Sequence, residues 1–266
     1  MDRQQAEAYA TRISAYMQRA LREAKRRTSW MSPAADFEAA IAAFVRALIV
    51  DEAGAAFRGE LGQLVQRIAP AGLINSLSQL LLKITLPGVP DVYQGTENWD
   101  FSLVDPDNRR PVDFAQRRQT LDDLQCRFRE APTELAAQLA AMPMRDATKQ
   151  FVAWRALAVR AANADAFLKG DYQPLTISGR GSEHLFAFAR SFGDQWIAVV
   201  VPRQIQCLLG ADGVIDWQDA AVALPPEVRG WRNEFAGARA SAEFGRVRAI
   251  ELLAPLPVAL LTSRHA

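Results

Sequence analysis

Between Leu86 and Phe114 the chain reads LPGVPDVYQGTENWDFSLVDPDNRRPVDF, its densest run of residues able to do polar chemistry. Tyr93 and Trp99 offer flat aromatic faces, while Asp91, Gln94, Glu97, Asp100, Asp105, Asp107, Asn108, Arg109 and Arg110 offer donors and acceptors at close spacing. A pyranose ring has apolar C–H faces and a belt of hydroxyls. Aromatic stacking combined with carboxylate and guanidinium hydrogen bonds recognises both features at once. The same residues also suit a structural loop in which Asp and Arg pair with each other or cap helices. Composition alone leaves both readings open.

The elements around this stretch must position it. Tyr9, Ile13, Met17, Ala20, Leu21 and Ala24 recur at helical spacing, with Arg19, Arg22, Glu23, Lys25 and Arg26 mainly between them, so a first helix is expected to about Arg27. Ser32-Pro33 suits an N-cap and first turn of a second helix whose buried stripe is Phe37, Ile41, Phe44, Val45 and Leu48. Leu61, Leu64, Val65 and Ile68 predict a third helix ending near Ala69-Pro70-Ala71-Gly72. A further helix over Leu73–Leu82 and a short strand over Lys83–Leu86 should then deliver the polar loop from the strand's carboxyl end, where α/β folds place ligands. Helical character returns over Ala115–Arg129, Thr133–Ala141 and Thr148–Ala161. After that the period changes to two, at His184–Phe192, Gln195–Val201, Ile205–Leu209, Val247–Leu253 and Val258–Thr262.

This pattern predicts an α+β chain of two domains. Residues 1–162 would be mostly helical and residues 163–266 a small antiparallel β-sandwich, with a boundary in Ala162–Gly170. Several amphipathic helices with one strand do not close a barrel of ~250 residues, so the first part is expected to be a piece of something larger. Its apolar faces would then need covering by the rest of a barrel or by self-association.

Of 266 residues, 50% are hydrophobic, which is enough for a sizeable core, and the formal net charge is +1, from 31 Lys and Arg against 30 Asp and Glu. No net field argues for nucleic acid or an anionic membrane as partner. Cys126 and Cys207, with His184 and His265 the two histidines, supply no ligand set for zinc. No metal or cofactor is expected, and the cysteines are read as reduced, packed thiols. No apolar run approaches the ~20 residues of a membrane span, and the first residues lack a secretory core, which predicts a cytoplasmic protein.

The string LPGVPDVYQGTENWD, followed by SLVDPDNRRPVDF, resembles the eighth strand and following loop of the α-amylase superfamily barrel. Together with ALREAKRRTSW, GLINSLSQLLLKIT, FLKGDYQPL and HLFAFAR, it is similar to the C-terminal part of the maltooligosyltrehalose synthase family. The resemblance implies the end of a (β/α)8 barrel: its last helices, eighth strand and final helix, then a β domain. It also implies a maltooligosaccharide substrate whose reducing-end α-1,4 linkage becomes α,α-1,1. The reaction would be of the retaining type, with a nucleophilic carboxylate, an acid/base carboxyl and a stabilising Asp.

In relatives the strands carrying those three carboxylates precede the part matched by residue 1. The resemblance therefore implies no catalytic residue in this chain and no transfer by it alone. It makes Asp105 and Arg109 contacts to a glucose on the non-reducing side of the cleavage point. Asp107 and Arg110 are read either as further contacts or as ion pairs shaping the loop, Gln94 and Glu97 as orienting residues, and Trp99 and Tyr93 as stacking or packing aromatics. A non-catalytic glucan-binding or barrel-packing module, or a piece of another amylase-superfamily hydrolase or isomerase, are the competing readings. Elsewhere Lys25–Arg27 and Arg117-Arg118 read as solvated helix surface, His184 as a surface or packed residue, and Trp154, Trp196, Trp217 and Trp231 as core anchors.

Overall fold

The computed structural model describes residues 2–210, 213–228, 230–240 and 245–263, so His265 lies outside the described residues. The chain is α+β and forms two compact units, one of residues 1–68 and 100–112 and the other of residues 69–99 and 113–266. Within the second unit the last helix before the strands ends at Leu168 and the first strand begins at Asp171.

The first unit is built on α1 (Arg3–Ala24) and α2 (Ala35–Ile49). Asp2 and Gln5 form a reciprocal capping box at the start of α1, and Lys25, left-handed at φ 54°, ends it. Ser32 does not cap α2. Its N-cap is Ala34, without a side-chain cap, and the buried Thr28 hydroxyl oxygen accepts from the Ala34 amide at 3.0 Å. Glu38 ties the two helices together by receiving both Arg22 Nε (2.8 Å) and Nη2 (2.7 Å). The guanidinium and then the Thr28 hydroxyl hold the Glu38 carboxyl down at about 2.

One helix, α3 (Ala55–Thr85), replaces the expected helix, break, helix and strand. Pro70 sits inside it. An interior proline costs about 3 kcal/mol. The following turns offset that by burying Leu73, Leu77, Leu80, Leu81 and Ile84, each contributing roughly 1.5–3 kcal/mol. The strand expected at Lys83–Leu86 is the last turn of this helix. Its β-branched residues are absorbed by helical bonds, Thr85 Oγ1 donating to the Leu81 carbonyl at 2.6 Å and the Leu86 amide to Leu82 at 2.9 Å. Residues 86–99 pair in no sheet, because all the strands among the described residues lie from Asp171 onward and pair with one another.

The second unit adds α4 (Phe114–Glu130), α5 (Pro132–Ala141), α6 (Asp146–Ala162) and α7 (Ala164–Leu168) to the end of α3. The strands are β1 (Asp171–Pro174), β2 (Ile177–Ser178), β3 (Leu185–Phe192), β4 (Gln195–Pro202), β5 (Ala221–Ala223), β6 (Trp231–Asn233), β7 (Arg239–Ala240), β8 (Arg246–Arg248) and β9 (Ala259–Ser263). They form two antiparallel sheets, ordered β1-β3-β4-β9-β6-β7 and β2-β5-β8.

Alternation along the large sheet serves two cores. Phe188, Ile197, Val199, Val201 and Leu260 pack with α3 to α7, whereas Leu185, Ala187, Ala198, Val200, Ala259 and Leu261 pack with Val222 and Val247 of the small sheet. Sequence places β3, β4 and β9 within a residue or two. The expected strand at Ile205–Leu209 is instead a 3-10 turn, Ile205–Cys207, and Val247–Leu253 is mostly α8 (Ala249–Leu252). Trp217 and Trp231 are buried, and Trp154 and Trp196 pack against the two cores. Both cysteines, read as packed, are exposed.

Candidate functional site

The eight singled-out residues fall in two groups, one in each unit. In the first unit Asp105, Asp107, Arg109 and Arg110 lie on the 100–112 loop around a 3-10 turn, Asp107–Arg109. Two arginines of α1 brace it. Arg12 grips Asp107 with both arms, Nε to Oδ1 at 2.8 Å and Nη2 to Oδ2 at 2.7 Å. The Leu103 amide donates to the same carboxylate at 2.9 Å, and Arg110 stands 3.4 Å from it. With a side chain only 5% exposed, Asp107 is the buried keystone of the loop. Arg12 first, against the opposing effect of burial, brings its carboxyl down to about 2.

Asp105 receives Arg109 through both arms and Arg19 Nη1 at 2.9 Å. Burial pushes its carboxyl up, but the bonds from Arg109 and Arg19 outweigh that and leave it lowered. Both aspartates are therefore anions near neutrality. Neither can protonate a glycosidic oxygen, whereas both can position donors and accept from hydroxyls. Arg110 donates to the Asp107 carbonyl at 2.9 Å and to Ser102 Oγ at 2.7 Å. The Arg109 side chain is 69% exposed, so its fork is held by Asp105 while still facing solvent.

In the second unit Tyr93, Gln94, Glu97 and Trp99 lie on the connection between α3 and the polar loop. Arg160 fixes its start, donating to the carbonyls of Ile84 (2.6 Å) and Gly88 (2.7 Å) and so capping α3. Lys149 donates to the Asn98 carbonyl at 2.9 Å and lies 5.5 Å from the Trp99 ring centre. The Trp99 indole nitrogen donates to the carbonyls of Pro143 and Arg145, both at 3.1 Å, and its amide to Asp146 at 3.0 Å. This indole is a clamp on the turn between α5 and α6. Glu97 pairs with Arg117 at 2.7 Å, so Arg117 is not the exposed surface residue expected, whereas Arg118 is exposed. Tyr93 and Gln94 are exposed, the members of this group most open to solvent.

A 220 Å³ cavity beside them is lined by Ser76, Gln79, Lys83, Thr96 and Lys149. A larger one of 430 Å³, near Leu73, Leu77, Pro143, Ile215, Trp217 and Leu256, is apolar. Its Thr148 hydroxyl is already turned to the carbonyls of Leu139 and Met142, so it suits a sugar poorly. Among the described residues no group of three or more His, Cys, Asp or Glu could hold a metal ion, and no helix is long and apolar enough to cross a membrane.

Sequence reasoning found the loop but missed Arg12 and Arg19, which hold it from 95 and 86 residues away. On α1 they read as polar-face residues, and nothing in their spacing marks the partners.

No protein-family model matches the chain. A curated Mycobacterium tuberculosis protein, provisionally designated a maltooligosyl trehalose synthase, is 35% identical over 255 residues, which cover 96% of this chain and 28% of that protein. The solved maltooligosyltrehalose synthase of Arthrobacter ramosus superposes with a TM-score of 0.77 at 36% identity, over 96% of this chain and 30% of that one. A solved DSM5389 glycosyltrehalose synthase gives 0.70 at 25% identity, over 95% and 29%. The chain thus spans a little over a quarter of the curated relative it matches. Over nearly its whole length the chain is similar, in sequence and fold, to a stretch amounting to about 30% of these maltooligosyltrehalose synthases.

Proposed function

We propose that these residues are the C-terminal portion of a maltooligosyltrehalose synthase and supply a substrate-holding wall to its active site. The enzyme converts the reducing-end α-1,4 linkage of a maltooligosaccharide into an α,α-1,1 linkage. The observation carrying this reading is the 35% identity running through 96% of the chain. In that enzyme residues 86–99, which pair in no sheet within this chain, take the place of the eighth strand of a (β/α)8 barrel completed by residues outside this chain, and the two sheets form its terminal β domain.

Asp105 and Arg109 contact the sugar. Arg109 presents donors to hydroxyls from a fork already oriented by Asp105, so little side-chain freedom is lost on binding. Asp107 and Arg110 shape this loop; in the other unit Glu97 and Trp99 brace the 86–99 segment, whose exposed Tyr93 and Gln94 are its own candidates to meet a ligand. Both loop aspartates are held as anions, which suits binding and not proton donation, so the catalytic carboxylates come from the remainder of the enzyme.

A second feature agrees with a larger whole. Phe57, Leu61, Leu64, Val65 and Ile68 of α3 share one helical face and are each 42–48% exposed. An apolar stripe of that length calls for cover, and the remaining part of the enzyme supplies it.

The test is kinetic. Incubated alone with maltopentaose, the 266 residues should give no non-reducing product, whereas the full-length enzyme containing them should. In that enzyme Asp105→Ala and Arg109→Ala should each lower kcat/KM by about tenfold or more, the loss of a charged hydrogen bond to substrate. Unchanged kinetics in both would remove the proposed contacts. Transfer by the 266 residues alone would place the catalytic carboxylates within them.

A further inference from the structure

The two exposed cysteines have opposite neighbours. Cys126 Sγ lies 3.5 Å from the Glu130 carboxylate, whereas Cys207 Sγ lies 3.6 Å from Nε2 of His184. The His184 ring is oriented by its other nitrogen, Nδ1, which is 3.0 Å from the Gln204 carbonyl oxygen. A carbonyl oxygen only accepts, so Nδ1 carries the proton and Nε2 of the neutral ring is the bare acceptor facing the thiol. Glu183 Oε1 lies 3.6 Å from the same Nε2.

The fold holds both partners. His184 ends the turn Ser182–His184 before β3, and its carbonyl accepts from the Arg203 amide at 2.8 Å. Gln204 is left-handed at φ 50° and starts the turn Ile205–Cys207, whose neighbours Ile205 and Leu208 are seated in the core shared by the two sheets. The imidazole is 13% exposed and the cysteine is open to solvent. A shielded base thus stands beside an accessible nucleophile, the arrangement that activates thiols.

We propose that Cys207 and His184 form a thiol-exchange site at which Cys207 is covalently modified by small disulfides. The Cys207 proton passes to His184 Nε2 as the sulfur attacks the nearer sulfur of the disulfide. A new S–S bond forms, the original one breaks, and the departing thiolate takes the proton back from the imidazolium. The external disulfide is the oxidant, and one small thiol is released for each mixed disulfide formed.

The chain itself contains the control. With 2-hydroxyethyl disulfide in excess, acid quenching and peptide mass spectrometry, Cys207 should form its mixed disulfide on the order of tenfold faster than Cys126. His184→Gln should bring Cys207 to within about twofold of Cys126 while the Cys126 rate and the circular dichroism stay unchanged. Cys207→Ser should remove the fast phase entirely. Equal rates at the two cysteines of the parent chain would overturn the proposal, and this comparison needs no variant to fold. A Cys207 preference that survives His184→Gln would overturn it as well.

Discussion

Residues 86–99 and 100–112 are neighbours in sequence and similar in composition, yet different chemistry holds each. In 86–99, the Glu97–Arg117 pair apart, cations are aimed at backbone carbonyls: Arg160 at Ile84 and Gly88, and Lys149 at Asn98. The Trp99 indole does the same with Pro143 and Arg145. In 100–112 cations close on carboxylates, Arg12 on Asp107 and Arg19 with Arg109 on Asp105. A carbonyl that loses its donor is a neutral group lacking one bond. A buried carboxylate that loses its guanidinium is an uncompensated charge, so the two segments should differ in what breaks them and in how they respond to pH.

The largest effect on stability is expected from Arg12→Ala. It strips two charge-assisted bonds from a carboxylate that is 5% exposed. Because the Arg12 side chain is itself one-third exposed, water recovers part of the loss, and the opening free energy of the loop should fall by about 2–4 kcal/mol. The Leu103 amide, bonded to Asp107, is the reporter for native-state hydrogen exchange. No change in its protection would mean that the loop is held by something other than this pair.

Acid should separate the segments without any mutation. The Asp107 carboxyl titrates at about 2 in the folded chain, below its ordinary 3.8, and Asp105 is lowered too. A depressed carboxyl contributes stability that is complete above the unfolded value and is lost as pH falls through the folded one. Between pH 4 and pH 2 the Leu103 amide should lose protection relative to the Leu86 amide, which is bonded to the Leu82 carbonyl. The effect is smaller than that of Arg12→Ala, because a neutral carboxyl still accepts hydrogen bonds. Equal losses at the two amides would erase the contrast.

Arg160→Met tests the other segment. Two carbonyls lose their donor, that of the exposed Gly88 open to water and that of the buried Ile84 less so. About 1–2 kcal/mol should be lost locally at the Leu86 amide, with the Leu103 amide unaffected. Spread of the effect to Leu103 would show that the two segments open as one.

What was legible in the sequence follows the same physical division. The β3, β4 and β9 strands were readable because alternating burial on two cores writes a period of two into Phe186, Phe188, Ile197, Val199 and Leu260. At Lys83–Thr85 the β-branched pair Ile84 and Thr85 suggested a strand. There a helix wins, because Ile84 is buried against the core and Thr85 satisfies its hydroxyl on Leu81. Pro70 suggested a helix end, yet burial beyond it carries the helix through. In the polar loop the pair Asp105 and Arg109, four residues apart, is visible as local spacing, but Arg12 and Arg19 are not. The first has a partner 95 residues away, and on α1 both are indistinguishable from the solvated arginines at Arg26 and Arg27.

Arg109→Ala should have the smallest effect on the fold and is the most informative about function. Asp105 keeps Arg19 at 2.9 Å, and the Arg109 side chain is 69% exposed. Its removal should cost at most about 1 kcal/mol of stability, as for other exposed pairs. If the loop were only a structural brace, activity in the full-length enzyme would follow stability and hardly move. If Arg109 holds sugar through donors oriented by Asp105, kcat/KM for maltopentaose should fall while Leu103 protection stays within about twofold of the parent value. Arg109→Lys sharpens the distinction. It keeps the charge and can still pair with Asp105, but it loses the planar fork that aims two donors at once, so stability should return to the parent value while kcat/KM recovers only in part. Full kinetic recovery in Arg109→Lys would mean that charge and not geometry is what the loop presents to its ligand.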